Sequence, residues 1–413
     1  MNRGAIIISA TIFALGLSGG YFWVIGLPLR SVPPPTSGIV GAINDAAKDP
    51  ARREFFAASG SRVVPFQILY PASAVGSELP YVPDAAPVIA ALRRQGKLGL
   101  ALSRIGTITA PWTADAQPRS EGPFPVVIYL PGVTGYMQMS SFQTTSLAAD
   151  GFVVITLNQP GAVAAALLPD GRVIKGMSRD EAAQLIAPSY RDSHPPRALA
   201  VKLAPEKSIV PYLAGDVPVV IDRLSAINAN PNHPLHGLLD LQRIGVMGVS
   251  LGAIVAAQAC QYYSRVKACL MLDAPAPTDV ANRGLNKPAL WLSRPAADQR
   301  AERAASGGWP EYEIAAQANS IARVLANSRE ARVIQLNGLF HVDFTDVSTI
   351  QPIVGWLGMA GPTGALKAHR AVAALTVDFF RQMKKSAQLN GNLVARPSTV
   401  VNLNLGQLRR TRV

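Results

Sequence analysis

Cysteine is nearly absent from this chain: Cys260 and Cys269 are the only two among 413 residues. So small a number excludes a scaffold built on disulfides. Neither cysteine has a partner at metal-ligand spacing, and no metal ion is expected. Cys260 falls near the end of a predicted helix and Cys269 inside the next predicted strand, so both are expected as buried free thiols. Charge is scarce too, at 16% of residues, whereas apolar residues reach 49%. That balance excludes a disordered, solvated chain and allows a large buried core.

Acids are missing altogether from Arg381 to the C terminus, where Arg381, Lys384, Lys385, Arg396, Arg409, Arg410 and Arg412 stand. About half of the net charge of +13 therefore belongs to this end of the chain and not to a folded groove. We read residues 388–413 as a basic tail and expect no nucleic-acid partner; an anionic membrane surface or plain solubility accounts for such a tail.

Charge is also lacking between Arg3 and Arg30. Ala5–Leu29 as a helix would span roughly 37 Å, longer than the ~30 Å hydrocarbon core of a bilayer. A cleaved secretory signal would use Gly4–Leu17, with Ser18, Gly19 and Gly20 as its small-residue cleavage site. The apolar run continues well past that site, with Tyr21, Phe22 and Trp23 suited to an interface. Residues 1–30 are therefore read as an uncleaved membrane anchor in preference to a signal segment. Either reading places the rest of the chain outside the cytoplasm, anchored or secreted, under the positive-inside bias.

Internal repeats of fixed period are lacking as well. The stretch "SVPPPTS", Ser31–Ser37, begins a linker and lead-in segment over residues 31–59. A single domain is expected over residues 60–387. Strand-length apolar runs recur through it: Val63–Tyr70, Arg104–Ala110, Pro125–Leu130, Phe152–Leu157, Ile244–Met247, Val266–Leu272, Ala289–Leu292 and Ala331–Leu336. Several are unbroken Val/Ile/Leu runs, the pattern of strands covered on both faces of a parallel sheet. Helices are predicted at Ser140–Asp150, Gly215–Asn228, Leu251–Tyr263, Tyr312–Asn327 and Thr363–Ser386. Alternating strands and helices give an α/β fold, a mostly parallel central sheet with helices on both faces. Residues 159–214 interrupt that rhythm with Pro188, Pro195, Pro196, Pro205 and Pro211. Leaving the C-terminal end of a strand, they are expected to form a lid-like insertion over the ligand site.

"GVSLG", Gly248–Gly252, is a Gly-x-Ser-x-Gly pentapeptide between a predicted strand and a predicted small-residue helix. A serine on so sharp a turn sits in strained φ/ψ, and glycine two positions to either side avoids the clashes. Ser250 is thus a candidate nucleophile near a helix N-terminus, where developing negative charge is favoured. A base must come from five histidines. His233 and His236 read as loop residues, His194 lies in the insertion, and His369 shares a helix with Lys367 and Arg370 and is expected in solvent. His341 follows the last predicted strand and comes after Ser250, where the base of a Ser…acid…His chain belongs. Two acids remain open: Asp273 at the end of Val266–Leu272, and Asp298 after the next strand. Asp346 reads as a cap for a helix over Val347–Leu357. The backbone N–H groups of Leu251 and of Val133, in "YLPGVTG", are the candidate oxyanion donors, each worth ~3 kcal/mol of barrier.

Taken in order, "FPVVIYLPGVTG", "GVSLGA", "LDAP" and "FHVDFTD" resemble the platelet-activating-factor acetylhydrolase and dienelactone-hydrolase-like esterases of the α/β-hydrolase superfamily. The likeness runs over roughly residues 60–387 and extends to "VVPFQILYPAS" and to the last helix. It implies the α/β-hydrolase fold, no metal and no organic cofactor. It also implies Asp273, in its Leu-Asp-Ala setting, as the acid, with Val133 and Leu251 as oxyanion donors. Pro131 departs from the pattern, since relatives often have His or Ser before the glycine, and the insertion is poorly matched. The function so implied is hydrolysis of a short-acyl or lipid-like ester through Ser250, His341 and Asp273. A serine peptidase, an acyltransferase or a non-catalytic binding protein of the same fold are the alternatives, and the oligomeric state is left open.

Overall fold

The computed structural model describes residues 28–35, 37–95, 97–190, 208–385 and 399–404. The anchor expected at Ala5–Leu29 lies almost wholly outside them, as does His194. Among the described residues no helix is long and apolar enough to cross a membrane.

Among the described residues, eleven strands form one sheet in the order β13-β12-β11-β10-β9-β5-β6-β2-β1-β4-β3, numbered along the chain. The parallel part comprises β6 (Val153–Leu157), β5 (Phe124–Leu130), β9 (Leu239–Val249), β10 (Val266–Leu272), β11 (Ala289–Ser293), β12 (Ala331–Asn337) and β13 (Thr399–Asn404). Beside β6 lie β2 (Ser61–Ala72) and β1 (Ile39–Arg53), both in antiparallel pairing, then β4 (Thr109–Ala114) and β3 (Ser77–Pro80). Every residue of β5 and β6 is buried, which is why their sequences show no polar alternation. Successive residues feed two cores. Val126, Ile128 and Leu130 pack with the helices Asp216–Ala229 and Leu251–Tyr262. Val127 and Tyr129 face the other way, with Leu147 and Ala148 of helix Ser141–Ala149 and Val372 and Phe380 of helix Ala365–Lys385.

Three expectations are corrected by this arrangement. The lead-in segment is not a linker from Ile39 onward: β1 pairs residue by residue with β2 from Ile39↔Ala72 to Asp49↔Arg62. Within the basic C-terminal stretch, Thr399–Asn404 adds β13 in parallel to β12. The two cysteines are joined as a disulfide, because the last turn of helix Leu251–Tyr262 lies on β10 with the two Cα atoms 6.2 Å apart, within bonding range.

Part of the insertion is described: a small hairpin of β7 (Ala165–Leu167) and β8 (Val173–Lys175), a helix Arg179–Ile186 with a Ser178–Glu181 capping box, and a helix Ile209–Ala214. The last helix is buried along its whole length and packs on helix Leu251–Tyr262, so it belongs to the core and not to a lid. Buried ion pairs hold both ends of the insertion. Asp216 takes Arg62 at 2.7 Å and Arg52 at 2.8 Å, while Gln159 donates to Asp216 at 2.8 Å and to the Leu213 carbonyl at 2.9 Å. Arg62 also reaches the Pro160 carbonyl, Arg52 the Tyr212 carbonyl, and Glu54 closes the cluster against Arg62. Burial alone would raise the Asp216 carboxyl, but Arg62 and Arg52 outweigh it and hold the group below its ordinary range.

Candidate active site

β9 ends at Val249 and helix Leu251–Tyr262 begins two residues later, leaving Ser250 alone at the turn with φ 56° and ψ −122°. A non-glycine residue in that region is strained by on the order of 1–3 kcal/mol. The surroundings enforce it: the Ser250 N–H donates to the Leu272 carbonyl at 3.0 Å, and the Ser250 carbonyl already accepts from Ala253 and Ile254. The flanking glycines are needed for space. A Cβ on Gly248 would overlap the Gly252 backbone, and one on Gly252 would overlap the Leu130 carbonyl.

Asp273 stands at the end of β10, also at positive φ, 48°, with its N–H tied to the Leu292 carbonyl at 2.8 Å. The strand end aims its carboxylate at His341, whose Nδ1 lies 2.6 Å from Asp273 Oδ2. Arg294, two residues beyond β11's Leu292, donates from Nε to the same oxygen at 2.7 Å. Gln317 reaches the other oxygen at 3.5 Å. Burial would push the Asp273 carboxyl up, but the Arg294 guanidinium and the hydrogen bond with His341 dominate and hold it well below the usual carboxylate range. Asp298 is elsewhere: its Oδ2 accepts the Gly338 N–H at 2.8 Å. The structure thus brings Asp273, and not Asp298, to His341.

His341 opens a short 3-10 turn, His341–Phe344, and is partly exposed. Its own backbone N–H donates to Glu302 at 3.2 Å, and the Trp309 ring meets its imidazole edge-on at 4.6 Å between centroids. The turn is anchored from both ends. Asp343 accepts the N–H groups of Phe340 and Gly361, each at 2.8 Å; its burial pushes the carboxyl up to about 6. Asp346 does not cap the helix that follows it, contrary to expectation. Its carboxylate turns away and accepts the Ser141 N–H at 2.7 Å and the Phe142 N–H at 3.1 Å, capping helix Ser141–Ala149 from across the molecule. Tyr81 and the Ser141 hydroxyl complete its partners at 2.5 Å each.

His369 is the second correction here. It is buried, stacked on Phe142 at 3.9 Å, donates from Nε2 to the Thr345 carbonyl at 2.9 Å and accepts from the Thr349 hydroxyl at 2.8 Å. Lys367 and Arg370 face solvent on the same helix, but its period turns His369 inward.

The loop after β5 lies against the serine turn: a Cβ on Gly132 would stand 3.3 Å from the Ser250 Cβ. Val133 packs on the core beside it, while the next two N–H groups are taken, Thr134 by the Ala162 carbonyl and Gly135 by Gly132. The Leu251 N–H begins its helix, where no intrahelical acceptor exists. Sequence reasoning did not single out Arg294, Glu302 or Trp309. Arg294 stands in "WLSRPAADQ", but an arginine directly after a strand carries no signal until its carboxylates are placed around it.

The fold is shared with a solved esterase. A ferulic acid esterase from Streptomyces cinnamoneus aligns with a TM-score of 0.62 and 22% identity, covering 90% of this chain and 97% of its own. A second solved structure, described as m3DLH, covers 82% of the chain at 13% identity with a TM-score of 0.39, too low to bear on the fold. No family model matches the chain, and no curated protein does.

Proposed function

We propose that this chain is a serine carboxylic ester hydrolase of the α/β-hydrolase fold, acting on a short-acyl or lipid-like ester. The reading is carried by one observation, the 2.6 Å contact of His341 Nδ1 with the buried Asp273 carboxylate. An ionised carboxylate only accepts, so Nδ1 carries the proton and the Nε2 lone pair is left to act as base. Ser250 Oγ attacks the ester carbonyl as His341 Nε2 takes its proton. The tetrahedral oxyanion is met by the Val133 and Leu251 N–H groups. His341 then returns the proton to the departing alkoxide, leaving an acyl-Ser250. Water, deprotonated by His341, attacks that acyl group; the acid leaves and Ser250 recovers its proton. No step calls for a metal or organic cofactor.

The acetylhydrolase-like motifs favour a short acyl group on a lipid-like alcohol. The solved esterase of the same fold carries ferulic acid in its name, and Trp309 beside His341 offers an aromatic wall, so a feruloyl ester belongs in the substrate panel. We place the domain outside the cytoplasm, tethered by Ala5–Leu29; a mature protein beginning at Tyr21 by mass spectrometry would contradict the tether. The enzyme is tested with p-nitrophenyl acetate, longer acyl esters and a feruloyl ester, each against Ser250→Ala. The expected result is ester turnover that disappears in the variant. Turnover retained in Ser250→Ala removes the nucleophile; turnover of peptide amides alone favours a peptidase, and acyl transfer to an added alcohol in place of water favours an acyltransferase. Ligand binding without any turnover leaves a binding protein.

A further inference from the structure

Asp273 does not serve His341 alone. Its Oδ2 is shared between His341 Nδ1 at 2.6 Å and Arg294 Nε at 2.7 Å. Arg294 passes on to Glu302 through Nη1, and Glu302 Oε1 takes the His341 backbone N–H at 3.2 Å. The four groups close a ring that starts and ends on His341. Arg294 and Glu302 are buried, at 1% and 6% exposure, and the Arg294 guanidinium lies 5.3 Å over the Trp309 ring whose edge meets the imidazole. Burying a guanidinium and a second carboxylate is costly unless each is paired, and packing alone is served as well by apolar side chains of similar volume.

We propose that Arg294 and Glu302 are positioning residues that bias His341 in opposite directions, Arg294 by drawing negative charge off the Asp273 oxygen that His341 uses, Glu302 by restoring it at the His341 backbone. This rests on His341 being the base in the reading above. Other charged groups on these elements have partners of their own: Arg303, on the helix of Glu302, pairs with Glu311 at 3.2 Å and donates to the Trp309 carbonyl at 3.4 Å. Asp343, on the same turn, is spent on the Phe340 and Gly361 N–H groups, and Asp298, on the helix that carries Glu302, is spent on Gly338. Arg294 is thus the cation that touches Asp273, and Glu302 the carboxylate that touches the His341 backbone.

The test is the acid limb of kcat/KM against pH for p-nitrophenyl acetate, followed at a wavelength insensitive to the ionisation of nitrophenol. Charges within a few ångströms move a titration by about one pH unit or more. Arg294→Gln should move the acid limb upward by about one pH unit, and Glu302→Gln should move it downward by a similar amount. The double variant should return close to the parent. A packing role lowers the amplitude but has no reason to shift the limb in opposite directions. Limbs that stay in place, or that move the same way in both single variants, overturn the proposal. Should Arg294→Gln lack a cooperative thermal transition, Glu302→Gln decides alone: a limb that does not fall refutes it. Ser250→Ala keeps the two failures apart, because activity surviving there rejects the serine mechanism itself, whereas Ser250-dependent activity with unmoved limbs rejects only the bias.

Discussion

Lowering the pH from 7.5 to 4 should destabilise the protein through one side chain that takes no part in the proposed chemistry, His369. Burial pushes its imidazole down to about 4, against an ordinary value near 6.5. The folded chain therefore holds fewer protons at this site than the unfolded chain throughout that window, and stability falls with falling pH. The gap between the two values, at about 1.4 kcal/mol per pH unit, amounts to about 3 kcal/mol by pH 4; the loss is absent above pH 7.5 and levels off only below pH 4. Asp343 works against it. With its carboxyl pushed up to about 6, Asp343 binds more protons folded than unfolded and is favoured as pH falls through the same range. Asp346, also raised by burial, acts in the same sense as Asp343, so the parent slope mixes several groups and a variant isolates His369. In His369→Gln the amide can still donate to the Thr345 carbonyl and accept from Thr349 but cannot titrate. Urea denaturation of parent and variant at half-unit steps of pH should show the variant gaining about 3 kcal/mol on the parent between pH 7.5 and 4. A difference that does not change with pH would refute the burial argument.

Three further outcomes are expected. Asp273→Asn should lower kcat by on the order of 10⁴, since a neutral partner permits the wrong imidazole tautomer. Asp298→Asn, which loses only a contact with the Gly338 N–H, should stay close to the parent, and steady-state kinetics showing the reverse ranking would reject the assignment. Gly252→Ala places a Cβ on the Leu130 carbonyl and should lose on the order of 1–3 kcal/mol in urea denaturation, more than Ala253→Gly in the same helix. Replacing Cys260 and Cys269 together by Ala should cost ~3 kcal/mol for so short a closed loop. Mass spectrometry after alkylation of the unreduced, denatured parent should find neither cysteine modified, and two modified thiols would show that no bridge exists.

The parallel centre of the sheet was legible because β5, β6, the Ile244–Val249 end of β9 and most of β10 are buried and written mainly in apolar residues. Gly248–Gly252 was legible for a similar reason: close backbone approach leaves no residue but glycine. β1 was hidden. "IVGAINDAAKDPARR" carries Asp, Lys, Pro and Arg where strand formers would normally stand, and pairing with β2 holds it as a strand regardless. β13 was hidden by the basic residues on either side of it. The choice between Asp273 and Asp298 was undecidable from spacing, since both follow strand ends, and only the family resemblance separated them; the structure joins His341 to Asp273. His369 was misjudged because two charged neighbours on a helix say nothing about the face between them. Arg294 and Glu302 were invisible because their meaning lies in a ring of contacts that no linear pattern encodes.

The ion cluster around Asp216 has a consequence for how this protein can change over time. It fastens the chain on both sides of residues 161–211, through Gln159 and Pro160 at one end and Tyr212, Leu213 and Asp216 at the other. With both ends tied to β1 and β2, the length between them can grow or shrink at small entropic cost, about 0.6 kcal/mol per doubling. That freedom falls on the exposed hairpin turn at residues 169–173, because Ala162, whose carbonyl takes the Thr134 N–H, and the buried helix Ile209–Ala214 are held by the core.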